Sequence, residues 1–122
     1  MRDAASVLDI GCGWGSVLQP LADDYHVNNV VGLTLSESQT NWINDLKNSN
    51  IEVRLESWKD HNRDAKYDSI ISIGAFENFA KLGLTSDEKI AIYRDFFTRC
   101  HGWLGSCGWM SLQTVAYGNS LP

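Results

Sequence analysis

The stretch "VLDIGCGWGS", residues 7–16, decides the fold of this 122-residue chain. Its apolar first half predicts a β-strand, and its three alternate glycines predict a tight turn into a helix. Glycine permits positive φ angles and lets another molecule come close to the backbone. The amino end of the following helix favours negative charge. The stretch therefore predicts a loop that binds a nucleotide-like ligand with an anionic group, although a plain structural turn also fits.

The composition indicates one acidic domain with a hydrophobic core. Hydrophobic residues make up 43% of the chain, and the net charge of −5 argues against a nucleic-acid-binding surface. No apolar run approaches the roughly 20 residues that a membrane span needs. The three cysteines, Cys12, Cys100 and Cys107, form no CxxC motif, which disfavours a zinc site and favours reduced thiols. Because the start "MRDAASVLDI" also lacks the pattern of a signal peptide, we expect a cytoplasmic protein.

Strand and helix patterns alternate along the rest of the chain. Strands are predicted over 6–10, 29–35, 51–56, 67–74 and 109–117, and helices over 16–25, from 36 to about 49, and from 85 to a stop at Gly105. "SESQ" at Ser36 and "TSDE" at Thr85 both have the capping-box pattern. The alternation predicts an α/β fold with a parallel sheet, whose ligands bind beyond the carboxyl ends of the strands.

The glycine loop departs from the dinucleotide-binding fingerprint. That fingerprint is GxGxxG, and its third position is Ser16 here. A carboxylate is also expected at the end of the second strand, where "VVGLTLSESQ" supplies Thr34 and Ser36, with Glu37 slightly late. A dinucleotide site is therefore disfavoured, and it stays as an alternative.

Four motifs in order, "VLDIGCGWGS", "VVGLTLSESQ", "ESWKDH" and "ISIGAFENF", resemble the class I S-adenosylmethionine-dependent methyltransferases. Within them, the chain resembles the cyclopropane-fatty-acid and mycolic-acid cyclopropane synthases over about 7–118. The resemblance implies a Rossmann-like parallel sheet in the order 3-2-1-4-5 that lacks the usual last two strands. It also implies a single domain over 1–122, a methyltransferase core truncated at both ends, with S-adenosylmethionine as its cofactor.

The resemblance further implies contacts to each part of the cofactor. Asp9, Gly11 and Gly13 would line the methionine end, and Thr34, Leu35 and Gln39 would bind the ribose. Ser57 and Trp58 would lie at the adenine, and Ile73 would lie near the sulfonium. Structural alternatives exist for several of them. Asp9 could only order the loop by accepting backbone N–H bonds, and Gln39 could only complete the capping box of Ser36. Trp58 could be a core aromatic, and Leu35 could be an ordinary strand residue.

Two further residues are candidates for the reaction itself. If the acceptor is an alkene, methylation leaves a carbocation, and a placed base must then remove a proton. In the resembled synthases, a Glu and a His help to hold a bicarbonate ion as that base, and the matching residues here are Glu77 and His101. The resemblance thus implies both as catalytic residues and bicarbonate as a possible second cofactor. Glu77 could instead cap a helix or form a salt bridge, and His101 could be a favourable cation near a helix C-terminus.

Departures from the family pattern leave the acceptor open. Asn78 stands where the family usually has His, and "AKLGLTSDEKIAIY" is longer than the usual link. We expect a lipid or small-molecule acceptor, with olefin methylation or cyclopropanation as one option. An unpaired fifth strand would allow a homo-oligomer to form through that edge. Three alternatives remain: a non-catalytic cofactor-binding module, a subunit that needs a partner, and a nicotinamide-dependent oxidoreductase fragment.

Overall fold

A computed structural model describes residues 6–62, 66–73 and 85–113 of the chain. Its strands are β1 (Ser6–Ile10), β2 (Asn29–Thr34), β3 (Ile51–Leu55), β4 (Tyr67–Ile73) and β5 (Leu104–Gln113). Its helices are α1 (Leu18–Asp23), α2 (Glu37–Asp45) and α3 (Ser86–Trp103). The predicted alternation of strands and helices is confirmed.

The strands form one sheet in the order β3-β2-β1-β4-β5, and every pairing is parallel. This confirms the predicted fold class and strand order. β1 lies in the centre, where Leu8 pairs with Val31 of β2 and with Ile70 of β4. The ends of β1 to β4 at Ile10, Thr34, Leu55 and Ile73 lie along one side of the sheet, which we call the carboxyl edge.

Both faces of the sheet are covered, which explains why β1 is buried along its whole length. On one face, residues of the strands pack with Phe96 and Trp103 of α3. On the other, they pack with Leu18 and Leu21 of α1 and with Ile43 of α2. The apolar runs of the central strands are therefore the source of two hydrophobic clusters that hold the carboxyl edge in place.

Several boundaries differ from the predicted ones. α1 begins at Leu18, so that Pro20 lies in its first turn, where a missing backbone N–H breaks no helical bond. β5 begins at Leu104, five positions before the predicted start at 109, because Leu104 takes an extended conformation and pairs with Tyr67. The register then shifts before Ser69 pairs with Trp109. The predicted stop at Gly105 is therefore slightly late, since α3 passes directly into β5.

Within the described ranges, β5 pairs with β4 and with no other strand. Association of two copies through β5 therefore stays a prediction. None of the helices in the described part of the chain has both the length and the apolar character needed to cross a membrane.

Candidate functional site

The glycine loop lies at the centre of the carboxyl edge and is tied to β2. The N–H groups of Gly11 and Cys12 both donate to the carbonyl oxygen of Leu33, each over 2.9 Å. Gly11 and Gly13 have positive φ angles of 77° and 58°. The N–H groups of Gly13 and Trp14 have no partner among the residues that the structure describes. The loop is thus fixed by its first two amides, and the next two are available to a ligand.

The glycines of this region serve different purposes. A Cβ atom built on Gly13 meets no atom of the described residues within 4 Å, so none of them fills the space beside this glycine. A Cβ on Gly15 would lie 3.2 Å from the Ile43 side chain, and one on Gly32 would lie 2.9 Å from Cys12 Sγ. Gly15 and Gly32 therefore allow close packing inside the protein, whereas Gly13 leaves room for another molecule.

Asp9 is buried at the end of β1, next to the glycine loop. Burial raises its carboxyl pKa from 3.8 to about 7. Its side chain accepts no hydrogen bond from a loop amide in the described ranges, because Gly11 and Cys12 donate to Leu33 instead. The structure therefore does not support the alternative that Asp9 only orders the loop. The pKa of the Cys12 thiol rises to about 12, mainly through burial and also through the charge of Asp9, so this thiol is unreactive.

The side chain of Gln39 points to the end of β2 and not to its own helix cap. Ser36 caps α2, accepting from Gln39 N–H over 3.3 Å, but its own N–H donates to Thr34 Oγ1 over 3.1 Å. Thr34 in turn donates to Gln39 Oε1 over 2.7 Å. The capping box predicted at Ser36 is therefore only half formed. Gln39 Nε2 has no partner in the described part of the chain, which leaves it available at the carboxyl edge.

Leu35 and Trp58 have opposite environments. Leu35 follows the end of β2 and is 77% exposed, so it is not a core residue of the strand. Trp58 is 5% exposed and packs edge-to-face on Phe96, with ring centroids 5.2 Å apart. Trp58 is thus a core aromatic that can offer a ligand only an edge or its backbone. Ser57 beside it accepts from Lys59 N–H over 3.3 Å.

Two predicted residues lie at the end of β4. Ile73 is the last residue of β4 and pairs with Gln113, the last residue of β5. Gln113 is therefore a polar residue at the carboxyl edge that the sequence-based prediction missed. Glu77 lies outside the described residues, and its role stays a prediction.

His101 lies at the opposite end of the sheet. It is in the last turn of α3, which leads directly into Leu104, and Leu104 pairs with Tyr67 at the start of β4. A strand of 7 residues spans roughly 20 Å, so the structure does not bring His101 to the carboxyl edge, where its predicted catalytic role would need it. It favours the alternative that His101 serves the C-terminus of α3, where it lies in the last turn.

A buried histidine that the sequence-based prediction did not use lies in the segment between β3 and β4. His61, in the "ESWKDH" motif, contacts Glu56 through Nδ1 and the Tyr67 hydroxyl through Nε2. A histidine followed six positions later by a tyrosine that opens a strand gives no recognisable motif. Only the fold brings the two side chains together.

The matches to known proteins agree with this geometry. A family model described as mycolic acid cyclopropane synthetase matches residues 1–120. The chain belongs to this family. Cyclopropane mycolic acid synthase 2 of Mycobacterium leprae is 40% identical over 124 residues, covering 94% of this chain and 38% of that protein. The chain therefore spans well under half the length of this relative.

Solved structures with the same fold include family members and more distant methyltransferases. The crystal structure of the mycolic acid cyclopropane synthase CmaA1, complexed with SAH and CTAB, is 37% identical, with a TM-score of 0.74 over 88% of this chain and 35% of that one. Coclaurine N-methyltransferase, bound to N-methylheliamine and SAH, is 28% identical, with a TM-score of 0.74 over 92% and 31%. The likeness confirms the Rossmann-like class I methyltransferase fold.

Proposed function

We propose that this chain forms the S-adenosylmethionine-binding part of a methyltransferase that acts on an unsaturated lipid chain. The observation that carries the proposal is the open backbone at Gly13, next to the Thr34–Gln39 pair at the carboxyl edge. Membership of the mycolic acid cyclopropane synthetase family supports it. So do the two structural relatives that hold SAH, the demethylated form of this cofactor.

The residues present fit the chemistry of the cofactor. The N–H groups of Gly13 and Trp14 are donors suited to the methionine carboxylate. The buried carboxyl group of Asp9, whose charge acts on Cys12 in the same loop, is suited to the ammonium group, which would favour the charged form of this acid. Gln39 Nε2 can donate to a ribose hydroxyl. When bound, the cofactor supplies an electrophilic methyl group on a sulfonium, and these residues would hold it in one orientation.

A nicotinamide cofactor fits less well. Dinucleotide sites hold the ribose with a carboxylate at the end of the second strand. Here β2 ends at Thr34, and the Thr34 hydroxyl and Gln39 amide occupy that place. An uncharged pair at this position favours the S-adenosylmethionine reading over the oxidoreductase alternative.

The proposed acceptor class rests on the relatives. The names of the synthases specify mycolic acids, which are lipids, and this supports a lipid acceptor and a cyclopropanation or olefin methylation reaction. The coclaurine N-methyltransferase relative supports a small-molecule acceptor as the second candidate. We keep Glu77 as the proposed catalytic residue, with bicarbonate as the base that it would help to hold.

A non-catalytic cofactor-binding unit, or one that needs a partner, is the second candidate function. The observation that favours it is that the described residues suited to a ligand, Gly13 and the Thr34–Gln39 pair, all belong to the proposed cofactor site. Binding of the cofactor and transfer of its methyl group are therefore tested separately.

Titration calorimetry with S-adenosylmethionine and with NAD tests the proposed function. We expect micromolar binding of S-adenosylmethionine and no binding of NAD. Gly13→Ala adds one methyl group to the proposed cofactor space, and Gly102→Ala adds one to open space in α3. Gly13→Ala should weaken binding at least about tenfold, because the methyl group meets the ligand and because a φ of 58° is unfavourable for alanine, while Gly102→Ala leaves it unchanged. Binding of NAD alone, or no binding of either molecule, would contradict the proposal.

Methyl transfer is then measured with radiolabelled cofactor and vesicles of cis-unsaturated phospholipid. Incorporation of label into the acyl chains supports catalysis by this chain, and its loss in Glu77→Gln supports the proposed role of that residue. Cofactor binding without incorporation would favour the second candidate function.

A further inference from the structure

A buried histidine joins the turn after β3 to the first residue of β4. The His61 side chain is 0% exposed and lies between a carboxylate and a phenol. Its Nδ1 is 2.7 Å from Glu56 Oε1, and its Nε2 is 3.0 Å from the Tyr67 hydroxyl. We call these three residues the His61 bridge.

The imidazole has a single well-defined environment. A neutral ring with its proton on Nδ1 satisfies both contacts, because Nδ1–H donates to Glu56 and Nε2 accepts from the Tyr67 hydroxyl. Tyr67 stacks on the ring with centroids 5.9 Å apart, and Trp103 meets it edge-on at 5.1 Å. Because two polar bonds and two aromatic contacts fix the ring, His61 anchors the backbone on which it stands.

The anchored backbone is the turn over residues 57–61. Within it, Asp60 N–H donates to the Ser57 carbonyl over 3.0 Å, and His61 N–H donates to the Trp58 carbonyl over 3.4 Å. From α3, Arg99 donates to the Lys59 carbonyl over 2.9 Å. The turn is therefore tied to the sheet by His61 and to α3 by Arg99.

This turn begins at the carboxyl edge beside the candidate ribose contacts, and His61 at its end reaches toward Tyr67 at the start of β4. Glu56, which precedes it, donates its N–H to the Thr34 carbonyl over 3.0 Å, so the turn begins next to the Thr34–Gln39 pair. Because Trp58 is buried against Phe96, a ligand beside the start of the turn meets mainly Ser57 and the backbone of these first residues. Backbone N–H and carbonyl groups read the edge of a base only when their orientation is fixed.

We propose that His61 is a positioning residue that fixes the 57–61 turn so that its backbone recognises the adenine edge of the cofactor. The inference rests on the proposed binding of S-adenosylmethionine. Adenine presents an amino donor and a ring acceptor, whereas hypoxanthine presents a carbonyl acceptor and an N–H donor at the same places. A turn held in one orientation discriminates between the two bases. A turn released from His61 loses that discrimination, while contacts at Gly13 and Gln39 persist.

The test compares the binding of S-adenosylhomocysteine with that of its hypoxanthine analogue, S-inosylhomocysteine, by titration calorimetry. We expect the unsubstituted chain to prefer adenine at least about tenfold, because a base with reversed polar groups leaves the recognising groups unpaired. His61→Phe should reduce this preference to less than about threefold. Glu56→Gln keeps an oxygen acceptor for Nδ1–H and should retain the preference.

Two controls separate positioning from stability. Val27→Ala removes buried methyl groups from the cluster on the other face of the sheet, so it should lower the melting temperature and keep the adenine preference. Tyr67→Phe removes one hydroxyl group and keeps the ring, so it tests the bridge even if His61→Phe fails to fold. It should reduce the preference in the same direction.

Three results would overturn the inference. If folded His61→Phe or Tyr67→Phe keeps the adenine preference, His61 acts only in stability. If the unsubstituted chain binds both analogues equally, the turn does not read the base, although the proposed function stands. If it binds neither analogue nor S-adenosylmethionine, the proposed function fails and this inference fails with it.

Discussion

Helices α2 and α3 begin with the same sequence signature, and the two signatures form different structures. At α3, Glu88 N–H donates to Thr85 Oγ1 and Thr85 N–H donates to Glu88 Oε1, each over 3.2 Å, which completes the capping box. At α2, Ser36 N–H donates to Thr34 and not to Gln39. Glu88 therefore stabilises its helix, whereas Gln39 bonds the end of a strand.

The difference shows how a side chain with the capping pattern can bond a neighbouring strand end and not its own helix cap. Thr34, the last residue of β2, supplies the acceptor that a complete box would take from Gln39. Gln39 is thereby released toward the carboxyl edge without leaving an unpaired N–H group at the cap. The capping pattern predicts where both helices begin, and only the neighbouring strand end determines how each side chain is used.

The largest effect is expected at Asp9, because its burial destabilises the charged carboxylate. Glu88, by contrast, is an acid that stabilises its helix. Folding buries the Asp9 carboxyl group and raises its pKa from 3.8 to about 7. Stability is therefore lost as the pH rises through this interval. We expect Asp9→Asn to stabilise the protein more at pH 8 than at pH 5, by on the order of 3 kcal/mol.

Urea unfolding of both proteins at the two pH values gives this difference directly. Glu88→Gln is the matched control, since it makes the same chemical change at an exposed helix cap. Equal effects of Asp9→Asn at pH 5 and pH 8 would show that burial does not perturb this carboxyl group.

A smaller effect is expected at Gln39 and Glu88, each of which lies three positions after the N-cap residue of its helix. Gln39→Ala should weaken S-adenosylmethionine binding by about tenfold, the equivalent of one hydrogen bond, while the cap of α2 stays closed through Ser36 and Thr34. Glu88→Ala should leave binding unchanged and lower the free energy of unfolding. Calorimetry and urea unfolding of both variants measure these effects. Equal weakening of binding by Glu88→Ala and Gln39→Ala would contradict the proposed difference between the two side chains.

The smallest effect is expected at the cap residue of α3. Thr85→Ala removes the acceptor of Glu88 N–H and should lower the free energy of unfolding by about 1 kcal/mol. Ser86→Ala, one position further, is the control and should cost less. A Thr85→Ala variant as stable as Ser86→Ala would show that the capping box contributes nothing in solution.

Much of the fold was predictable because it is encoded locally. The buried apolar run at β1, the glycine loop and the helix caps at Ser36 and Thr85 each depend on neighbouring residues. The parallel sheet followed from the alternation of strands and helices, and its strand order followed from the family resemblance. These features are confirmed by the sheet order and by the family match.

The remaining features depend on contacts between distant segments. The start of β5 at Leu104 depends on a register shift against β4, which no local pattern indicates. His101 was assigned from the family resemblance, although the direction of α3 takes it to the far end of the sheet. Trp58 is buried because α3 supplies Phe96. His61 is likewise buried beside Tyr67 of β4, whose hydroxyl group is its hydrogen-bond partner.

Hydrogen exchange with and without S-adenosylhomocysteine tests the central claim most directly, because it reports on both helix starts in one experiment. We predict that the ligand slows exchange in peptides covering 11–16 and 36–40 and leaves peptides covering 85–89 unchanged. The glycine loop and the start of α2 would then form the binding site, and the start of α3 would be structural. Unchanged exchange in 11–16 at saturating ligand would contradict the account.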